Sequence, residues 1–63
     1  MKQLKQLRKA HDLTQEQLAN EAGVSQSLIW KIENGERKPS VKVAKRIAAV
    51  LGFPWTDFFR ESA

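Results

Sequence analysis

The chain has 63 residues, with 11 Lys plus Arg against 7 Asp plus Glu, a formal charge of +4 and no cysteine. A chain this short is expected to form one domain over residues 1–63, burying only about 60% of its unfolded surface and leaving no room for an enzyme-sized pocket. Disulfides are excluded, and His11 alone among imidazoles cannot build a structural zinc site.

The basic balance, with a pI near 9.9, points to a polyanionic partner, and nucleic acid is the commonest one for a small basic domain. Met1-Lys2-Gln3-Leu4-Lys5 carries charge without the apolar run of a signal peptide. The longest uncharged apolar run, Ile47 to Leu51, falls far short of a membrane span. A cytoplasmic protein with no membrane partner is therefore expected.

No stretch alternates apolar and β-branched residues with polar ones, whereas several windows repeat at i, i+3, i+4, so the predicted class is all-α. Leu4, Leu7, Arg8 and His11 share one face of a first helix that stops near Asp12. Thr14-Gln15-Glu16-Gln17 has the form of a capping box, in which the Thr14 hydroxyl and the Gln17 side chain satisfy free amides at a helix start. A second helix therefore begins at Thr14, turns Leu18, Ala19 and Ala22 inward, and ends at Gly23. Ser25 follows at once as an N-cap, so a third helix runs to the stop signal Asn34-Gly35. Two helices joined so tightly must cross steeply, which is a helix-turn-helix. Beyond the polar linker Glu36-Arg37-Lys38-Pro39, Ser40 caps a fourth helix with the stripe Val41, Ala44, Ile47, Ala48 and Leu51, stopping at Gly52. Pro54 opens a short fifth helix, about 54–60, carrying Trp55, Phe58 and Phe59.

Taking about 100° per residue, the third helix points Ser25, Ile29, Ile32 and Glu33 inward and Ser27, Lys31 and Asn34 outward, with Gln26 projecting from its amino-terminal end. Arg8 and Glu33 both fall on apolar faces, and are expected to pair in the core. His11 is read as a polar residue near a helix end, favoured by the helix dipole when protonated. Ser25, Ser27 and Ser40 have no His and Asp partners, so no catalytic residue is assigned. Phe53, Trp55, Phe58 and Phe59 gather at the carboxy-terminal end, more apolar surface than a short helix needs. Part of it caps Ile47 and Leu51, and the rest, with Val43 and Val50, is a candidate dimer interface.

From Arg8 to Gly52 the chain resembles the phage Cro and repressor, or Xre, type of helix-turn-helix domain. The resemblance rests on Leu13-Thr14-Gln15-Glu16-Gln17-Leu18-Ala19, Ala22-Gly23-Val24-Ser25-Gln26-Ser27, Ile29, Ile32-Glu33-Asn34-Gly35, Pro39-Ser40, Ile47-Ala48 and Leu51-Gly52. It implies a five-helix, lambda-repressor-like fold with the motif at about 14–34 and the third helix in the major groove of double-stranded DNA. Gln26, Ser27 and Lys31 are then the base-reading candidates, since Gln can pair bidentately with adenine, Lys with guanine, and Ser with either. Leu28 and Trp30 flank that face: Leu28 could meet a thymine methyl, while Trp30 could lie along the sugar-phosphate chain, against the linker or against a second protomer. By the same resemblance Gln15 and Asn34 each hold a phosphate, and Arg37 and Lys38 follow the strand beyond. Lys42 opposes the dipole of its own helix start, a placement eased by a nearby phosphate. The resemblance also implies the Arg8–Glu33 pair as a family feature.

The function expected from all this is a sequence-specific transcriptional regulator of the repressor kind, acting as a homodimer on a pseudo-palindromic operator, with no cofactor, metal or small-molecule ligand. The alternative is a DNA-binding antitoxin of a toxin pair or a protein-interaction module.

Overall fold

A computed structural model describes residues 2–60 of the chain. Four helices appear in order, α1 (Lys2–Ala10), α2 (Gln15–Ala22), α3 (Gln26–Glu33) and α4 (Val41–Leu51), followed by a 3₁₀ turn over Trp55–Phe59. No strand occurs among the described residues.

Local chemistry sets the helix starts. Thr14 Oγ1 accepts from the Gln17 amide at 3.0 Å while the Thr14 amide donates to Gln17 Oε1 at 2.8 Å, closing the capping box at α2. Ser25 Oγ accepts from the Leu28 amide at the start of α3, and Ser40 Oγ from the Val43 amide at the start of α4. These bonds satisfy amides that a helix start otherwise leaves unpaired.

The tight α2–α3 junction depends on Gly23. Its φ of +72° is in the left-handed region, which a side chain disfavours. The turn returns the Val24 amide to the Ala19 carbonyl at 2.9 Å and the Gly23 amide to Asn20 at 3.3 Å, the Schellman closure that ends many helices. Asp12 does the same work after α1 with φ +56°, its amide reaching Lys9 and that of Leu13 reaching Arg8. A short polar side chain tolerates that conformation better than most.

Small residues let the helices approach. Ala19 and Ala22 of α2 are buried, as are Ala44 and Ala48 of α4, around the larger Leu18, Ile29, Ile32 and Ile47. In the packing α2 touches both α3 and α4, α1 rests on α3, and the 3₁₀ turn rests on α4. Leu4, Leu51 and Phe58 belong to the same buried core.

Four sequence expectations change. The fifth element is a short helix as expected, over Trp55–Phe59, but of 3₁₀ rather than α type, with Pro54 ahead of it in extended geometry and no side-chain cap; a segment this short closes few i→i+4 bonds, and 3₁₀ geometry is used in such short connecting pieces. Val41 lies at the angle of the α4 stripe but is 48% exposed, because the first residue of the helix extends past the core. His11 stands outside α1 and is exposed, its Nδ1 2.9 Å from the Leu7 carbonyl. Ser25 is exposed too, since its hydroxyl turns to the α3 amides instead of the core.

Candidate nucleic-acid interface

The site begins with α3, because the helix divides sharply into an inner and an outer face. Ile29, Ile32 and Glu33 are buried, and Leu28 is half-buried and packed against the core. Gln26, Ser27, Trp30 and Asn34 are exposed, and Lys31 is half-exposed in the last turn, where a cation complements the helix dipole. At about 100° per residue, Gln26, Trp30 and Asn34 form an i, i+4, i+8 row, with Ser27 and Lys31 alongside. The outward side of α3 is thus polar apart from one indole.

Trp30 and Leu28 separate in a way that the sequence did not reveal. Instead of flanking the outer face on opposite sides, Leu28 belongs to the core's margin and Trp30 stands within the outer face, 46% exposed. Asn34 folds back, its Nδ2 donating to the Trp30 carbonyl at 2.8 Å. The same carbonyl already accepts the Asn34 backbone amide at 3.0 Å, so the side chain adds a second donor to it and is held beside the end of α3.

Behind the outer face lies an ion pair. Arg8 Nε donates to Glu33 Oε2 at 2.7 Å and Arg8 Nη2 to Oε1 at 3.3 Å, with side chains only 9% and 3% exposed. The remaining guanidinium nitrogen, Nη1, donates to the Leu13 carbonyl at 2.8 Å. Gln15 completes the group, its Nε2 donating to Glu33 Oε1 at 3.0 Å. One carboxylate therefore receives donors from α1 and α2 while sitting on α3. No buried side-chain nitrogen or oxygen lacks a partner among the described residues, as a buried charge pair requires.

Gln15, assigned to a phosphate from the sequence, is thus half-buried and committed at one N–H to Glu33. Neither this bond nor the Leu13 carbonyl contact shows in helical spacing, because each needs the packing of α1, α2 and α3 to bring the groups together. Arg37, Lys38 and Lys42 are exposed on the α3–α4 linker and the first turn of α4. Lys31, Arg37, Lys38, Lys42, Lys45 and Arg46 are six of the 11 basic residues, so the positive charge concentrates from the end of α3 through α4.

The aromatic residues at the other end fold onto one another. Phe53 meets Phe58 at 5.3 Å between ring centroids, and Trp55 meets Phe59 edge-on at 6.1 Å. Lys45 places its ammonium 5.1 Å from the Trp55 ring, within cation–π range. Phe58 is buried, Phe53 and Trp55 are half-buried, and Phe59 remains 37% exposed.

This arrangement has known counterparts. The helix-turn-helix family pattern matches residues 4–58. An HTH-type transcriptional regulator of Bacillus subtilis, YqaF, is 47% identical over 95% of this chain and 79% of its own length. Another HTH-type transcriptional regulator, from Methanocaldococcus jannaschii, is 46% identical over 89% of this chain and 85% of its own. Among solved structures, an HTH_3 family transcriptional regulator from Vibrio cholerae superposes with a TM-score of 0.77 at 37% identity. The match covers 90% of this chain and 32% of that one, so the present chain spans about a third of that longer protein.

Proposed function

The chain belongs to the helix-turn-helix family of transcriptional regulators, and from that membership we propose a sequence-specific repressor that binds double-stranded DNA as a homodimer. The observation that carries the proposal is the division of α3, whose inner face is locked into the core while Gln26, Ser27, Trp30 and Asn34 stay exposed. A helix held this way presents side chains to a major groove without first having to be ordered.

In this reading Gln26 and Ser27, at the amino-terminal end of α3, meet base edges, and Lys31 reaches a guanine from the last turn. Trp30 lies against the sugar-phosphate wall of the groove, its indole N–H available to a phosphate oxygen. Gln15, Asn34, Arg37, Lys38 and Lys42 contact phosphates and set the register, supplying affinity for any sequence. The half-buried Trp55 and partly exposed Phe59 offer apolar surface at which a second copy would pair. Two-fold pairing would set the two α3 helices about 34 Å apart in successive major grooves of a pseudo-palindromic operator.

Selection of bound duplexes from a randomised pool, followed by sedimentation of the complex, tests this directly. Recovery of a pseudo-palindrome bound by two chains is expected. Recovery of no common sequence would contradict sequence-specific binding, and a single chain on an asymmetric site would contradict the homodimer.

A further inference from the structure

We propose that Glu33 is a positioning residue for DNA binding: through its bond to Gln15, the buried ion pair holds a phosphate-contacting amide in place before DNA arrives. The inference rests on the DNA-binding reading above and adds to it a role for a group that touches no nucleic acid.

The argument starts from what Glu33 can accept. An ionised carboxylate has no hydrogen to donate, and this one is paired with Arg8 at 2.7 Å in a nearly closed environment. Gln15 must therefore present its nitrogen, never its carbonyl, to Oε1, as the 3.0 Å contact requires. A glutamine on a free helix surface turns either end outward, and the carbonyl end repels phosphate. Anchored by Glu33, Gln15 keeps its nitrogen at a defined place with the second N–H uncommitted to the carboxylate. The anchor itself is rigid, because Arg8 also donates to the Leu13 carbonyl at 2.8 Å, immediately before the Thr14 cap. The same cluster thus fixes the backbone entering α2 and the first side chain of α2. Ordering one flexible side chain in advance is expected to strengthen phosphate binding by about three- to tenfold.

A stability role alone predicts a different pattern of binding. Replacing both members of a buried pair by apolar residues of similar volume often preserves stability, so the double variant Arg8→Met with Glu33→Leu removes the Gln15 anchor while leaving a core. Binding is read by fluorescence anisotropy with random-sequence duplex DNA. The double variant and Gln15→Ala are each expected to bind about three- to tenfold more weakly than the unmodified protein, and Gln15→Ala is expected to weaken binding less in the double variant than in the unmodified protein. A double variant that binds like the unmodified protein, a Gln15→Ala variant that does so, or full additivity of the two changes would overturn the positioning role. Failure of the unmodified protein to bind duplex at low salt would instead overturn the functional reading itself.

Side-chain ¹⁵N relaxation on the unmodified protein gives a second test that does not depend on the variant folding. The Gln15 amide is expected to be rigid without DNA, in contrast to those of exposed Gln3 and Gln6. Equal mobility of the three would overturn the proposal.

Discussion

Arg8 and Glu33 stand 25 positions apart in the chain and meet with Nε 2.7 Å from Oε2, joining the first helix to the third beneath the exposed face of α3. The carboxylate takes a further donor from Gln15 of α2, so one acidic group connects three helices. Its place on α3 is fixed by the same turn that exposes Trp30 and Asn34, which links the interior of the domain to its outer face.

Removing one partner strands the other. Arg8→Ala or Glu33→Ala is expected to destabilise the fold by about 3 to 5 kcal/mol, lowering Tm by at least ~12 °C in a chain of this size. Thermal melts followed by circular dichroism check this, and a Tm within a degree of the unmodified protein would refute a structural role for the pair.

At the start of α2, Thr14→Ala removes the hydroxyl that accepts the Gln17 amide and keeps only the reciprocal bond from the backbone amide of residue 14 to Gln17 Oε1. A loss of about 1 to 2 kcal/mol is expected, seen as a lower urea midpoint with an unchanged slope. An unchanged midpoint would mean that solvent caps this helix equally well.

Gly23→Ala introduces backbone strain rather than a clash, since φ is +72° and the added Cβ would sit 3.4 Å from Arg46 Nη1, the far end of a flexible side chain. The expected cost is about 1 to 2 kcal/mol. Gly35→Ala, at φ +75° with open space around the new carbon, is expected to cost a similar amount. A much larger loss at Gly23 alone would indicate that crowding, and not the left-handed backbone, decides the turn.

On DNA, the two kinds of basic residue should behave differently. Lys31→Ala is expected to relax preference at one base position by about 1 to 3 kcal/mol, while Arg37→Ala weakens binding to all duplexes about equally. Competition between the selected site and single-base variants of it measures both, and identical profiles would show the division between reading and clamping to be mistaken.

The helix boundaries were legible in the sequence because caps are local. Thr14 with Gln17, Ser25 and Ser40 mark helix starts within three residues of the amides they satisfy, and Gly23, Asn34-Gly35 and Gly52 mark the ends. Arg8 and Glu33 were legible as charges on otherwise apolar faces. Less local features were hidden. Gln15 looked like a surface residue at a helix start, and its bond to a residue 18 positions away exists only once α2 packs on α3. Leu28 and Trp30 had symmetrical angles relative to the outer face, but only the packing of neighbouring helices assigned one to the core margin and left the other exposed. Val41 kept the right period at a position the core does not reach. The aromatic residues after Gly52 signalled burial without specifying a 3₁₀ turn, since five residues carry too little periodicity to separate it from an α-helix.

Salt dependence of binding to a duplex recovered by selection tests the central claim most directly. If each of two protomers neutralises about four phosphates, the logarithm of the association constant should fall against the logarithm of salt concentration with a slope near −7. A slope near zero would contradict DNA binding through phosphate contacts.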